Sequence, residues 1–491
     1  MADGRYYSAD PAPLVADGRL YILAGRDEAA ADVNDFVMKE WQLLATDDVA
    51  RGRWTHYPAI LRPEQVFAWA APGRAYAGQI VQGADRRYYL YAPVAQRDSR
   101  DADVFGIGVA VADGPLGPWR DAHPQGPIVS QSVPEKNTIQ NIDPTVLRDD
   151  DGRVWLYWGT FGKLRGLELE RDMLTPKGAE FAVTTLDGFF EAPWLFKRNG
   201  TYYLAYAGNR AGPDSACTPT IYHACIAYGT APTARGPWTY RGVILGPVSS
   251  TTSHPGIVEY KGRWYLVYHT ADARGGGHFR RSVAIDRIDW DDTASPARMR
   301  PVKPTGPPRP PPRPQRNLAP AAFASASNSP GVPLQYWIAA LNDGVVRPNP
   351  LPPDMWGDWT PQPPAQAWIQ YRWERPVTLD GSTIVFFADQ PAGAAIGVAP
   401  PRAWHLEYRR DGRWLPVPRS SGYGTAPGVR QRVRFAPVST RCLRAVFEAS
   451  GDDRAHAGVA VQEWEALAPR PQLFPLTADA AASCDARDAE P

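Results

Sequence analysis

The sequence predicts an all-β protein, a five-bladed β-propeller followed by a β-sandwich, and three observations carry that reading. A two-strand unit recurs five times in the first 300 residues with one internal spacing. Asp10 to Tyr21, Ala77 to Tyr88, Asp143 to Val154, Glu191 to Tyr202 and His254 to Tyr265 are each eleven residues apart. Between successive units stands a second motif, a strand closing on a Gly-x-Trp turn. A proline tract from Pro304 then ends the repeats, and short alternating strands resume beyond it. Repeats of about 50–65 residues made of short strands and glycine turns mark a radial β array. One such unit cannot cover its own apolar face and must lean on its neighbours.

Each copy opens on a residue at the strand mouth, runs through an apolar strand, turns and returns. The copies read Asp10-Pro-Ala-Pro-Leu14, Ala77-Gly-Gln-Ile80, Asp143-Pro-Thr-Val-Leu147, Glu191-Ala-Pro-Trp-Leu195 and His254-Pro-Gly-Ile-Val258. Outer hairpins close at Gly52-Arg-Trp54, Gly117-Pro-Trp119 and Gly236-Pro-Trp238, whereas the copy after Asp143 diverges to Leu164-Arg-Gly-Leu-Glu-Leu-Glu170. The last copy ends in an alternating strand from Arg281 to Ile288. Residues 1–303 are therefore assigned to the propeller. Residues 304–316 are a Pro-rich linker, semi-rigid at about 3 Å per residue. Over 317–468, Trp368–Trp373, Thr383–Phe387, Trp404–Tyr408, Gln431–Phe435 and Cys442–Phe447 are spaced as a small antiparallel sandwich. The Ala- and Asp-rich tail, 469–491, is expected to be disordered.

Bulk properties exclude several classes of partner. Lys and Arg number 53 against 52 Asp and Glu, so no net field attracts nucleic acid. No apolar run reaches the roughly 18 residues that a membrane span needs. Most of the 18 Trp and 22 Tyr are assigned to sheet packing, leaving a minority to meet sugar rings at a concave mouth. The N-terminus carries no apolar leader, so the chain is expected to be secreted or periplasmic with its signal peptide removed, or alternatively cytoplasmic. Cys217 and Cys225 are spaced to close a small loop or to stand as two separate thiols. Cys442 lies on an apolar strand and Cys484 in the tail, and neither reads as a ligand.

In a propeller the innermost strands line the central channel, which brings Asp10, Ala77, Asp143, Glu191 and His254 to one mouth. Three carboxylates converging there is an arrangement that folding alone would avoid, because like charges in a partly desolvated site raise one another's pKa. Inverting hydrolysis of a glycosidic bond needs such a set. One protonated carboxyl serves the leaving oxygen and one ionised carboxylate activates water, roughly 6.5–9.5 Å apart. Asp149-Asp-Asp151-Gly reads as a solvated hairpin turn rather than a metal loop. Arg280 and Arg281, adjacent on a strand, face opposite ways, so only one can point at the channel.

Asp10-Pro, Ile-Asp143-Pro-Thr and Glu191-Ala-Pro-Trp, in this order on a five-fold repeat, resemble the glycoside hydrolases of family 43. The resemblance covers about residues 5–300. It implies Asp10 as general base, Asp143 as pKa modulator and orienter, and Glu191 as general acid, with no cofactor required for catalysis. Phe36-Val-Met-Lys-Glu-Trp41, Phe67-Ala-Trp69 and Gly275-Gly-Gly-His-Phe-Arg-Arg281 resemble its α-L-arabinofuranosidases and β-xylosidases. By that likeness Arg281 hydrogen-bonds the terminal sugar, Trp69 walls its subsite, and His254 lies under the site, holding a water, a calcium ion or only backbone. The expected activity is inverting, exo-acting release of terminal α-L-arabinofuranosyl units from arabinoxylan or arabinan. β-Xylosidase or dual activity is the alternative, followed by endo-arabinanase and, in a different class, a non-catalytic sugar-binding propeller. The segments 26–40 and 208–223 are expected to wall one end of the groove into a pocket. Asn317-Leu-Ala-Pro, Asn342-Asp343-Gly344, Trp356 and Trp359 resemble the galactose-binding-like (discoidin-type) sandwich, whose Asn-Asp-Gly loop often holds a structural calcium. Its aromatics serve either sugar binding or packing.

Overall fold

The computed structural model describes residues 3–248, 252–306, 313–452, 454–473 and 484. The chain divides into two compact units, Met1–Pro307 and Pro308–Pro491. Much of the expected linker, residues 307–312, lies outside the described residues.

The first unit is a five-bladed propeller. Four blades are four-stranded antiparallel sheets whose innermost strands are Ala9–Ala16, Gln79–Gln82, Thr145–Arg148 and Phe189–Arg198. The fifth blade contains Gly256–Tyr260, Arg263–Thr270 and Ser282–Ile288. The divergent segment of the third copy forms a regular third strand, Leu164–Leu169, so the blade survives the loss of its Gly-x-Trp turn.

Buried aromatics tie each blade to the next, which accounts for many of them. Trp41 Nε1 donates to Tyr76 O (2.7 Å), Tyr91 Oη to Met173 O (2.6 Å) and Tyr157 Oη to Ala234 O (2.6 Å). Trp194 Nε1 donates to Ile257 O (2.9 Å) and Tyr260 Oη to Gly18 O (3.0 Å), which returns the series to the first blade. A ring with a polar tip on a large apolar body fills the wedge between blades while leaving no buried donor unpaired. The seam between first and last blades is further closed by Ser8 N to Arg281 O at 2.8 Å and Val283 N to Ser8 Oγ at 3.1 Å.

Three of the five mouths are kinked. Asp10, Asp143 and Ala192, the residue after Glu191, have φ of 54°, 57° and 56°. The registers of Ala9–Ala16 and Phe189–Arg198 slip at these points. A left-handed non-glycine residue costs of order 1–3 kcal/mol, and such bulges re-aim side chains beside functional sites. All three kinks fall at the acidic mouths.

The second unit is a multi-stranded antiparallel sandwich built on two long strands, Gln366–Phe387 and Gln431–Glu448. The sequence reading splits each of these in two. Each is instead continuous through irregular register, the first slipping between Arg372 and Val377 and again between Leu379 and Gly381, where Gly381 stays paired rather than opening a turn. Gln366–Phe387 pairs along its first half with Cys442–Glu448 and along its second with Ala460–Leu467. Trp356, Trp373, Trp464, Tyr371 and Phe447 form its core, so the quoted Trp356 packs rather than binding sugar. The last strand runs to Gln472, past the expected boundary at 468. Of the tail beyond Leu473 only Cys484 is described, and it is disulfide-bonded to Cys442. That pairing was not anticipated from sequence, because 42 residues separate the two. Cys217 and Cys225 also form a disulfide.

Candidate active site

A cavity of about 390 Å³ opens at the propeller mouth, lined by Asp10, Asp143, Glu191, His254 and Arg281 together with Phe36, Tyr76, Phe105, Phe161 and Phe190. The three acids come from three different blades, as the repeat register predicts.

Asp10 is gripped from the last blade. Arg281 Nη1 donates to Asp10 Oδ1 at 2.8 Å, and Asp10 N donates to His269 Nδ1 at 3.1 Å. Burial alone would raise the Asp10 pKa. The Arg281 guanidinium, with His269 and His254 behind it, outweighs burial and holds the carboxyl well below the ordinary carboxylate range. Arg281 is itself clamped by Asp27, which accepts from Nε (2.9 Å), Nη2 (2.9 Å) and the Arg281 backbone N–H (2.8 Å). Thr252 Oγ1 and Met38 Sδ take further donors. Arg281, expected to bind the terminal sugar, lines the cavity with its donors directed at protein acceptors, chiefly Asp27 and Asp10. Arg280 points elsewhere, donating to Gly275 O at 2.6 Å.

Glu191 is set up in the opposite sense. Burial pushes its pKa up to about 7, with the Asp10 charge adding to the rise and the hydrogen bond from Thr160 Oγ1 (2.8 Å) restraining it. Asp143 is pushed well above its usual value by burial, then by Glu191 and Asp10. Its Oδ2 accepts from Ala192 N at 3.1 Å, so the acid of the third blade fixes the backbone next to Glu191. Like charges in one cavity cannot both ionise cheaply, and the Asp143–Glu191 pair keeps a proton near neutrality.

His254 lines the cavity with Nδ1 3.9 Å from Asp10 Oδ1, and burial lowers its pKa to about 4, so it is neutral there at ordinary pH. Among the described residues no cluster of three or more His, Cys, Asp or Glu side chains is placed to hold a metal ion. The oxygen nearest His254 already belongs to Arg281, and a hard cation wants six to eight oxygen ligands. The residues around His254 do not supply such a set.

Trp69 does not line the cavity. Its Nε1 donates to Asp121 Oδ2 at 3.2 Å and its ring packs on Phe67, centroids 5.3 Å apart. The short helix Pro63–Val66 and the bridge from Ala70 to Gln96 turn it against the second blade. The wall comes instead from Phe36, Tyr76 and Phe105. Phe36 and Met38, from the first of the two segments expected to form a wall, line the cavity. Segment 208–223 lines a different cavity of about 410 Å³ with Asp187 and Tyr240. His269, Asp27 and Thr160 escaped the sequence reading. Thr160 directly follows the Trp-Gly end of a repeat strand and had a positional signal. Asp27 had none, since only the ring closure brings it to Arg281.

In the second unit, the Asn342-Asp343-Gly344 loop meets the last strand: Gly344 N donates to Glu463 Oε2 at 3.0 Å and Val345 N to Asp343 Oδ1 at 2.8 Å. Glu463 is buried, its Oε1 has no hydrogen-bond partner, and burial followed by the Asp343 charge pushes its pKa to about 8.

A propeller whose cavity holds one carboxyl ionised and another protonated is the catalytic unit of a glycoside hydrolase. The chain belongs to the glycosyl hydrolases of family 43, whose family model matches residues 5–294. It is 32% identical over 335 residues to a xylosidase/arabinosidase of Bacteroides ovatus, spanning 58% of this chain and 92% of that one. It is 29% identical over 330 residues to a β-xylosidase of Xylanibacter ruminicola, 58% and 94% respectively. Among solved structures it is similar to CoXyl43, a β-xylosidase/α-arabinofuranosidase from a compost microbial metagenome in complex with xylotriose, in a calcium-free form. That likeness has TM-score 0.51 and 27% identity over 62% of this chain and 96% of the other. The protein is accordingly a hydrolase of the xylosidase/arabinofuranosidase kind, acting on carbohydrate. No helix among the described residues is long and apolar enough to cross a membrane.

Proposed function

We propose that this hydrolase is inverting and exo-acting, and that it releases terminal α-L-arabinofuranosyl units from arabinoxylan or arabinan. Asp10 deprotonates the attacking water, Glu191 protonates the departing oxygen, and Asp143 keeps Glu191 protonated and in place. The observation that carries this is the opposed setting of two carboxyls in one cavity, Asp10 lowered by Arg281 and Glu191 raised to about 7. Two separately tuned acids are what acid–base cleavage asks for and what a lectin-like propeller, which only binds hydroxyls, does not need. A cavity of about 390 Å³, walled by Phe36, Tyr76 and Phe105, has room for a sugar ring, which supports exo action. β-Xylosidase or dual action is the second reading, favoured by the names borne by the relatives.

Incubating the full chain with arabinoxylan and following the released sugar by NMR tests the reading. Free arabinose appearing first as the β-anomer is expected. Retained configuration would overturn the roles, oligomers the exo mode, and xylose alone the preference.

Two further assignments belong here. A structural calcium is assigned to the loop at Asp343 and Glu463, where a buried carboxylate oxygen lacks a partner; these two carboxylates would supply part of its oxygen shell, and a cation there would offset their charge. Secretion or export to the periplasm is supported by the two disulfides, which persist in oxidising compartments.

A further inference from the structure

The turn Gly159-Thr160-Phe161-Gly162 borders the cavity on the side of Glu191, to which Thr160 is bonded, and is bolted at both ends. Gly159 N donates to Ile142 O at 3.0 Å and Gly162 N to Phe190 O at 3.1 Å. Its inner side chain, Thr160, is buried and holds Glu191. Its outer one, Phe161, is 68% exposed, the most exposed large apolar side chain among the described residues, and lines the cavity mouth. Phe161 also carries φ of 51°, a conformation that a bulky residue rarely adopts. A phenyl ring held in water on a left-handed residue opposes both burial and backbone preference, and such outliers gather at ligand clamps. Phe190 stands edge-on beside it, ring centroids 5.8 Å apart, and is the residue immediately before Glu191.

From this placement we propose that Phe161, braced by Phe190, is the stacking platform for the acceptor sugar and a specificity-determining residue. It favours a xylopyranosyl acceptor over an arabinofuranosyl one. The assignment rests on the hydrolase reading, because the general acid touches the oxygen that joins the two sugars. Whatever flanks Glu191 away from Asp10 therefore meets the leaving group. Phe190 directly precedes Glu191 and Phe161 directly follows Thr160, which holds Glu191, whereas Phe36, under the Arg281 guanidinium at 4.9 Å, belongs to Asp10's side. A β-xylopyranosyl ring has all its hydroxyls equatorial and presents axial C–H bonds on a flat face. A furanose ring is puckered, with hydroxyls standing off both faces, and covers a phenyl ring poorly.

The test uses the full chain, wild type, Phe161→Ala and Phe161→Trp, on three substrates sharing the sugar that the wild type releases. One has fluoride as the leaving group, one a xylopyranosyl acceptor and one an arabinofuranosyl acceptor. Phe161→Ala is expected to lower kcat/KM on the xylopyranosyl acceptor about ten-fold more than on the fluoride, mainly through KM, with Phe161→Trp restoring most of it. Xylotriose titrated into the Glu191→Gln chain should bind about ten-fold more weakly when Phe161→Ala is added. Equal losses on fluoride and sugar acceptors, equal losses on the two acceptors, or unchanged xylotriose binding would each overturn the proposal. If the wild type cleaves none of the three substrates, the hydrolase reading fails instead, and the titration still decides whether Phe161 binds a pyranose.

Discussion

Asp10 and Glu191 carry the same functional group and differ only in what surrounds it. Asp10 has a guanidinium at 2.8 Å; Glu191 has a hydroxyl, apolar rings and a nearby negative charge. Glu191→Gln and Asp10→Asn are each expected to reduce turnover of natural glycans by about 10²–10⁴-fold. An aryl leaving group of low pKa should restore much of the first loss and little of the second, since a good leaving group needs no proton. Steady-state kinetics with a series of aryl glycosides check this, and parallel behaviour of both variants would refute the division of roles. The pH profile follows from the same shifts. Activity needs Glu191 protonated, so kcat/KM should fall as pH rises through about 7. It needs Asp10 ionised, so the acid limb should lie below the usual carboxylate range. In Asp143→Asn the carboxyl that shares a proton with Glu191 is gone, and the falling limb should move to lower pH; a limb that stays or rises would remove the modulator role.

The elements that carry the acids are irregular where the apolar parts of the same strands are regular. Left-handed residues at Asp10, Asp143 and Ala192 turn the mouth side chains off the alternating face of the sheet and into the channel. The interblade hydrogen bonds from Tyr and Trp supply the rigidity that such strain requires. In the sandwich the strained element is electrostatic. Glu463 titrates near 8 when folded, against roughly 4.3 for a free glutamate. An acid whose pKa is raised by folding costs stability above its unfolded pKa, and the cost grows until pH passes the folded value. Without calcium, the unfolding temperature of this unit should therefore fall between about pH 4.5 and 8. Calcium should raise it at the upper end, and Glu463→Gln should abolish the calcium response and lessen the fall with pH, the remainder of which comes from Asp343 and Asp358, raised by burial to about 6 and about 7. Differential scanning calorimetry on the full chain reads them, and a calcium response unchanged in Glu463→Gln would place any ion elsewhere.

At the scale of the molecule, the eleven-residue spacing was enough to give the number of blades and to bring Asp10, Asp143 and Glu191 to one cavity. Four of the five residues named from that register, Asp10, Asp143, Glu191 and His254, line the cavity and Ala77 does not; in a closed ring the sequence phase of a repeat becomes its angular position. Trp69 failed for a related reason: it lies in an inter-strand connection, where no register constrains direction, and its donor found Asp121. Arg281 reached the cavity but with its donors already engaged. The family resemblance supplied the part, whereas the partner, Asp27, depends on contact between residues 254 positions apart. Cys442 and Cys484 were likewise readable as residues and not as a pair.

What the amino-acid order determined by itself was periodic: apolar alternation, turn glycines, and one polar residue at a fixed phase of each repeat, all set by contacts a few residues apart. Which acid holds its proton, which one leans on Arg281 and which ring stands in the solvent path were decided only when the blades closed into a ring. Those properties depend on distance and burial in three dimensions, where charges interact across a few ångströms whatever their separation along the chain.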